Sequence, residues 1–487
     1  MRPSAKHLIG AALIAVGLGL PGLALAQDGE VIAKQYDDGS FYEGTFKDGR
    51  QHGTGTYTLP NGYSYSGDWV DGEIRGNGVA RYPNGSLYEG QFAAGKPEGR
   101  GKITYANGGS YEGDWTGGKM TGAGVARYPD GSVYEGAFLD GKHHGQGKMT
   151  GTNGSVYEGA WVEGQREGQG RITYADGTVY DGAFKANIRE GQGTLTMPDG
   201  LTYVGDWAGG QINGQGKLTQ PNGDVYEGAF AEGLRQGQGK MSHANGDVYE
   251  GEFAADMRQG KGVFRAKDGT IFDGDWVAGH LNGKGTITFA DGSVYAGDVV
   301  ADQAEGIGKI TYPDGSSYEG QWKAGAIEGE GTATYPGGAV YSGAFVGAEL
   351  QGKGTMTQPD GYRYEGDWVK GQRQGQGTAT YADGTVYTGD FVNGLREGKG
   401  SITMADGFKY EGDWKGGEIE GQGIATYPNG DRYEGGFVAG RREGQGKLTY
   451  ISGQVAEGIW KSGILTAPSP APEAAPAEGQ APATQGN

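Results

Sequence analysis

From Tyr42 to Gly453 the apolar and polar positions repeat every 23 residues, without an insertion or deletion. Each unit opens with Tyr-Glu-Gly-x-Trp/Phe and continues with Gly-x-Gly-x-apolar-Thr-Tyr, as in Gly168-Gln169-Gly170-Arg171-Ile172-Thr173-Tyr174. Both segments alternate with period two and are bounded by turn residues, which predicts a β-hairpin and not a pair of helices. Numbering each unit from its first aromatic gives eighteen units, from Tyr42 to the one starting at Tyr433, with Phe272 the single non-tyrosine start. A fixed period of this size predicts a stacked array.

The link between units is often Pro-Asp/Asn-Gly, as in Pro129-Asp130-Gly131, Pro198-Asp199-Gly200 and Pro428-Asn429-Gly430. Proline suits the first corner of a type I turn and glycine the left-handed residue after it, so a three-residue loop is expected. That loop sets the register. Unit position 16 opposes the next unit's position 1, glycine 14 opposes glycine 3, and glycine 12 opposes the aromatic at position 5. Opposed residues share a face. One face therefore carries Tyr with aliphatics, a seam of glycine at positions 3 and 14, and a column in which Trp or Phe alternates with the glycine of position 12. The seam leaves room for rings to lie over the backbone and for the sheet to bend. The other face carries mostly Glu at position 2, with Lys, Thr and Val opposite.

Position 8 is glycine in fourteen units and Asn187, Asp256 or Asp302 in three, the residues that best tolerate left-handed backbone. Ala348 is the exception and follows Gly347, so a one-residue shift of that loop is expected. The predicted fold is an all-β, elongated, single-layer antiparallel sheet of tandem hairpins, a solenoid-like rod. All nine tryptophans sit at position 5, where they largely alternate with Phe. The unit starting at Tyr295 has Ala296, Val299 and Asp302 at the usual Glu, aromatic and Gly positions, and a bend or soft point is expected between Tyr249 and Gly306.

Tyr-Glu-Gly-x-Trp/Phe, glycine at position 8, Gly-x-Gly at positions 12 to 14 and Asp/Asn-Gly at positions 20 to 21 resemble the MORN (membrane occupation and recognition nexus) repeat, over Tyr42 to Gly453. The resemblance implies the fold. It leaves function open, because one repeat serves very different proteins.

Upstream, Arg2, Lys6 and His7 precede an apolar run from Leu8 to Leu20 and an Ala24-Leu25-Ala26 site. This reads as a signal peptide over residues 1–26, with an uncleaved anchor as the alternative, disfavoured by the shortness of the run. The expected divisions are a degenerate N-terminal half repeat over 27–41, the repeats over 42–455, a degenerate C-terminal repeat over 456–465 and a Pro/Ala-rich tail over 466–487. Export to the periplasm or the cell surface follows from the signal. Cleavage removes Arg2 and Lys6 and no acid, moving the net charge from −19 to −21. Such a balance argues against nucleic acid and against anionic membranes. With no cysteine, a disulfide framework is excluded.

No phosphate loop, nucleophile elbow or metalloprotease motif is present. His143-His144 reads as a solvated loop pair, and a uniform ladder of glutamates lacks the asymmetry that separates an acid from a base. No enzyme activity, metal or cofactor is expected. What remains is binding. A single-layer sheet cannot bury both faces, so its aromatic stripe must be partly exposed, covered by bending or covered by a partner. The candidate interaction stripe is Tyr65, Trp69, Tyr111, Trp115, Tyr157, Trp161, Tyr203, Trp207, Trp276, Tyr318, Trp322, Tyr364, Trp368, Tyr410 and Trp414. Protein partners or self-association are expected there. A cell-wall polysaccharide, with the rings as sugar platforms, is the alternative, and lipid a weaker one.

Overall fold

The computed structural model describes residues 29–469. It contains 39 β-strands and no helix among those residues, and the chain divides into two compact units, 1–221 and 222–487. Within each unit every strand pairs antiparallel with its neighbours in sequence, β1 to β17 in the first and β18 to β39 in the second.

One repeat shows why. β12 (Val156–Val162) and β13 (Gln165–Thr173) are joined by Glu163-Gly164, both at positive φ (50° and 87°), the two-residue turn whose twist matches that of the strands. β13 then passes to β14 (Val179–Lys185) through Ala175-Asp176-Gly177, where Gly177 N donates to Tyr174 O and the Asp176 carboxylate accepts from Thr178 N at 2.8 Å. Across this longer turn the expected register holds: Ile172 faces Tyr180, Gly170 faces Gly182, and Gly168 faces Phe184.

Inside the hairpin the register differs from expectation. Gly159 faces Gly170, but Trp161 faces Arg166, so three residues of β13, Glu167 to Gln169, stand opposite the single Ala160 of β12. The β-bulge falls on the glycine of position 12, Gly168, whose φ is +71°. The partner of each aromatic within its own hairpin is therefore position 10, not glycine 12. The bulge frees the N–H of position 13, and where position 4 is Asp, Asp275 excepted, its carboxylate takes that donor. Asp68 accepts from Asn77 N at 2.7 Å, and Asp413 from Gln422 N at 2.7 Å.

Two further expectations, on the loop at Gly347-Ala348 and on where the tail begins, are revised. The loop at Gly347-Ala348 does not shift: Val346 faces Glu349 as elsewhere and Ala348 adopts φ +67°. Strand pairing is unbroken through the unit starting at Tyr295, where Val299 is fully buried. The final strand, β39 (Ile464–Pro468), extends three residues into the stretch read as tail. The signal peptide and the rest of the tail lie outside the described residues.

Candidate functional site

The ring-bearing face is the core. Each position-1 tyrosine lies back over the glycine seam of its own hairpin. A Cβ on Gly170 would stand 2.6 Å from Cε2 and Cζ of Tyr157. The Tyr157 hydroxyl donates to Ala160 O at 3.0 Å, and burial pushes its pKa up to about 12, so it stays a donor. The ring meets Trp161 and Phe184 edge-on, both at 5.2 Å between centroids, and this weave of edge-to-face pairs recurs along both units. Every tryptophan also donates its indole N–H to the glycine 14 carbonyl of the preceding repeat, as Trp161 does to Gly147 O at 3.2 Å. Phenylalanine at the same position packs without that bond.

All fifteen residues of the candidate stripe sit in this layer, from fully buried Tyr65 to Trp322 at 8% exposure. Within each unit these rings meet their neighbours edge-on, and side chains of position 10 lie against them. None offers an open ring face.

Position 10 carried no recognised signal in the sequence, although its residues are mostly arginine or aliphatic. Arg189, Arg258, Arg396 and Arg442 place their guanidinium groups 4.2–4.4 Å over the tryptophan of the next repeat. Arg189 also donates to Gly210 O at 2.7 Å, gripping the next turn. Position 11 adds a second grip, since Glu190 accepts from Gly209 N at 3.0 Å. These are clamps between repeats, with the charge partly desolvated against an aromatic face.

His143 occupies position 10 in its repeat. It is not in a loop: it lies in β11 (Lys142–Thr150), stacks on Tyr134 at 3.7 Å and shares a 2.5 Å hydrogen bond with the Tyr128 hydroxyl. Burial lowers its pKa to about 4. Among the described residues no group of three or more His, Asp or Glu side chains is gathered in a way that could hold a metal.

The opposite face is solvated, with the expected cross-strand pairs: Lys148–Glu158 at 2.7 Å, Lys240–Glu250 at 2.9 Å and Lys309–Glu319 at 3.3 Å. Exposed pairs of this kind add little stability. Between Gln376 and Glu457 the bare glycine seam forms the floor of a groove of about 1060 Å³, walled by Glu411, Glu434 and Glu457 on one side and by Lys399, Gln422 and Gln445 on the other. The apolar surface that is open lies elsewhere. At position 6, beside the two-residue turns, Val277, Val300, Val346, Val369, Val392 and Val438 are 41–55% exposed, interrupted by Lys323 and Lys415.

Fold and surface together define an all-β hairpin-repeat protein whose recurrent rings are buried in its core. The MORN repeat matches eighteen consecutive segments, beginning with 42–62 and 65–87 and ending with 410–432 and 433–455, and the chain belongs to the MORN repeat family. The family is a non-catalytic repeat scaffold. No curated protein matches the chain. Among solved structures, the SAS-4 (dCPAP) TCP domain of Drosophila melanogaster, in complex with a proline-rich motif of Ana2, is similar over 35% of this chain and 87% of its own, at 16% identity and a TM-score of 0.22. The TCP10 domain of Danio rerio CPAP in complex with a STIL peptide aligns over 50% and 94%, at 17% identity and a TM-score of 0.17. A streptogramin B lyase aligns over 61% and 92%, at 11% identity and a TM-score of 0.11. None reaches a TM-score at which whole folds correspond, and the peptides and the lyase activity belong to those proteins.

Proposed function

We propose that the protein is a non-enzymatic scaffold that docks protein partners side-on, along the valine row of its second unit. The carrying observation is the placement of apolar surface. The rings are consumed in the core, whereas six exposed valines recur in phase along one side of the sheet. Exposed apolar surface in a repeating row is a protein-binding feature. Its spacing of two strands, about 10 Å between successive valines, suits an elongated partner or several small ones.

Export is part of this reading, supported by the basic, apolar and small-residue sequence of residues 1–26, and it places the partners in the periplasm or at the cell surface. Glycan binding loses its tryptophan platforms, since those rings are at most 8% exposed. The net acidic charge weighs against an anionic membrane.

The test is in-cell crosslinking followed by pull-down, comparing the native chain with a variant carrying Val346→Ser, Val369→Ser and Val392→Ser. Partners captured by the native chain and lost from the variant support the reading. Equal capture by both sinks it. Fractionation of the cells places the protein, and retention in the cytoplasm would remove export.

A further inference from the structure

In an interior repeat the second strand of the hairpin holds nine residues, unit positions 9 to 17, as in β13 (Gln165–Thr173). The two outermost strands of the described chain each hold part of such a strand. Continuing the same numbering outward, β1 (Val31–Gln35) occupies positions 13 to 17, and β39 (Ile464–Pro468) occupies positions 9 to 13. What one end lacks, the other end has.

The pairing shows the same complementarity. β38 (Val455–Lys461) is paired by β39 only from Gly458 to Lys461, which leaves Val455 and Ala456 without a ladder partner on that side among the described residues. β2 (Phe41–Lys47) is paired by β1 from Phe41 to Thr45, and among the described residues Phe46 lacks the opposing residue that position 12 of the preceding strand supplies in an interior repeat. Half-covered strands of this kind present open backbone donors and acceptors to another chain.

The side chains carry the argument further. Everywhere from Tyr42 to Tyr433 except at Phe272, a tyrosine at position 1 lies over a glycine at position 14. The last repeat has Ala456 at position 1, and the first half strand has Ile32 at position 14. Each departs from the rule alone. Set side by side they satisfy it in reverse, because the isoleucine side chain fills the volume from which the ring is missing. In the interior register Ile32 would face Gly458, Ala33 would face Glu457, and Lys34 would face Ala456, whose small side chain leaves the lysine room. Lys34 already holds its ammonium 4.9 Å over the Tyr36 ring and would keep it there.

We propose that copies of the protein join head to tail, with β1 of one copy completing beside β38 the strand that β39 of the next copy begins. Pro468 and Ser469, which now run beside Gly458 and Glu457, give way. Pro468 has no N–H to contribute to the ladder. The contact joins two different surfaces, so its repetition builds an open chain or a ring of copies and not a closed two-fold dimer. It goes beyond side-on docking and uses none of the valines.

The chain has no cysteine, which makes the test clean. Two full-length single variants, Ala33→Cys and Glu457→Cys, one bearing a mass tag, are mixed and oxidised. A crosslinked A33C–E457C heterodimer in excess of both homodimers is expected, and its absence overturns the proposal. Ala456→Tyr, placed in the E457C chain, restores a ring that meets Ile32 and should lower the heterodimer yield by about tenfold, a modest change in contact energy. Adding Ile32→Gly to the A33C chain should restore the yield. Full crosslinking despite Ala456→Tyr, or no recovery with Ile32→Gly, overturns the proposal equally. The valine variants should crosslink as the native chain does, which separates failure of this contact from failure of side-on binding.

Discussion

Leu281 occupies the place over the glycine seam that Phe272 leaves. The leucine is fully buried, and its methyl groups stand 3.0 Å from where a Cβ on Gly285 would be and 3.2 Å from the same point on Gly274. Phe272 is half-buried and packs instead toward Phe264 at 6.0 Å. In this array a position-1 ring is anchored over the seam by its hydroxyl, which bonds the carbonyl of position 4. Phenylalanine has no such anchor, and position 10 fills the gap.

Leu281→Ala should therefore open a cavity over the seam and cost about 2–5 kcal/mol. Phe272→Tyr in the same chain should recover much of the loss, because the new hydroxyl can reach Asp275 O. Hydrogen exchange of β22 (Ile271–Val277) and β23 (His280–Thr288) reads both effects locally. No recovery in the double variant would disprove the anchoring role of the hydroxyl.

Gly170→Ala tests the seam itself. Its added methyl would collide with the Tyr157 ring, so a loss of about 1–3 kcal/mol or more is expected from overpacking. Gly164→Ala, in a turn with nothing within 4 Å, should cost only the left-handed penalty of about 1–2 kcal/mol. Ala348, native in the equivalent turn position, already tolerates that conformation. Denaturation of the two variants in parallel checks the order.

A pH dependence follows from His143. Unfolded, the imidazole takes up its proton near 6.5; folded, only near 4. Between those values the unfolded chain binds more protons, so the contribution to stability is complete above about pH 6.5 and is lost as pH falls toward 4. The difference in unfolding midpoint between the native chain and His143→Gln should change across that window and be flat above it. A difference that stays constant from pH 4 to 7 would remove this account.

Limited proteolysis examines the repeat at Tyr295, where Val299 packs with less bulk than a ring. Early cuts are expected between Tyr249 and Gly306. Cuts spread evenly along the array would show that the valine packs as well as its neighbours.

The sequence disclosed the inter-repeat register because Asp/Asn-Gly turn chemistry is local and specific, and Tyr157, Gly159 and Trp161 fall where the turn at Asn153-Gly154 puts them. The bulge at Gly168 was hidden, since a glycine at position 12 reads equally as an extension of the seam. Nothing in the sequence sets Arg166 and Arg189 apart from ordinary strand charges. The fate of the rings was also hidden, because strict alternation describes an open face and a bent, covered one alike. The surface valines were legible as residues but not as surface until the rings were placed beneath.

The clamps at positions 10 and 11 all reach the same way. Arg442 holds Gly463 O at 2.7 Å and Glu443 holds Ser462 N at 2.7 Å, just as Arg189 and Glu190 hold the turn ahead of them. When a turn lets go, the repeat before it is left with a stranded guanidinium, while the repeat after it loses only contacts that water can replace. The array has a grain, and fraying should run more readily from the N-terminal end toward the C-terminal end than the reverse.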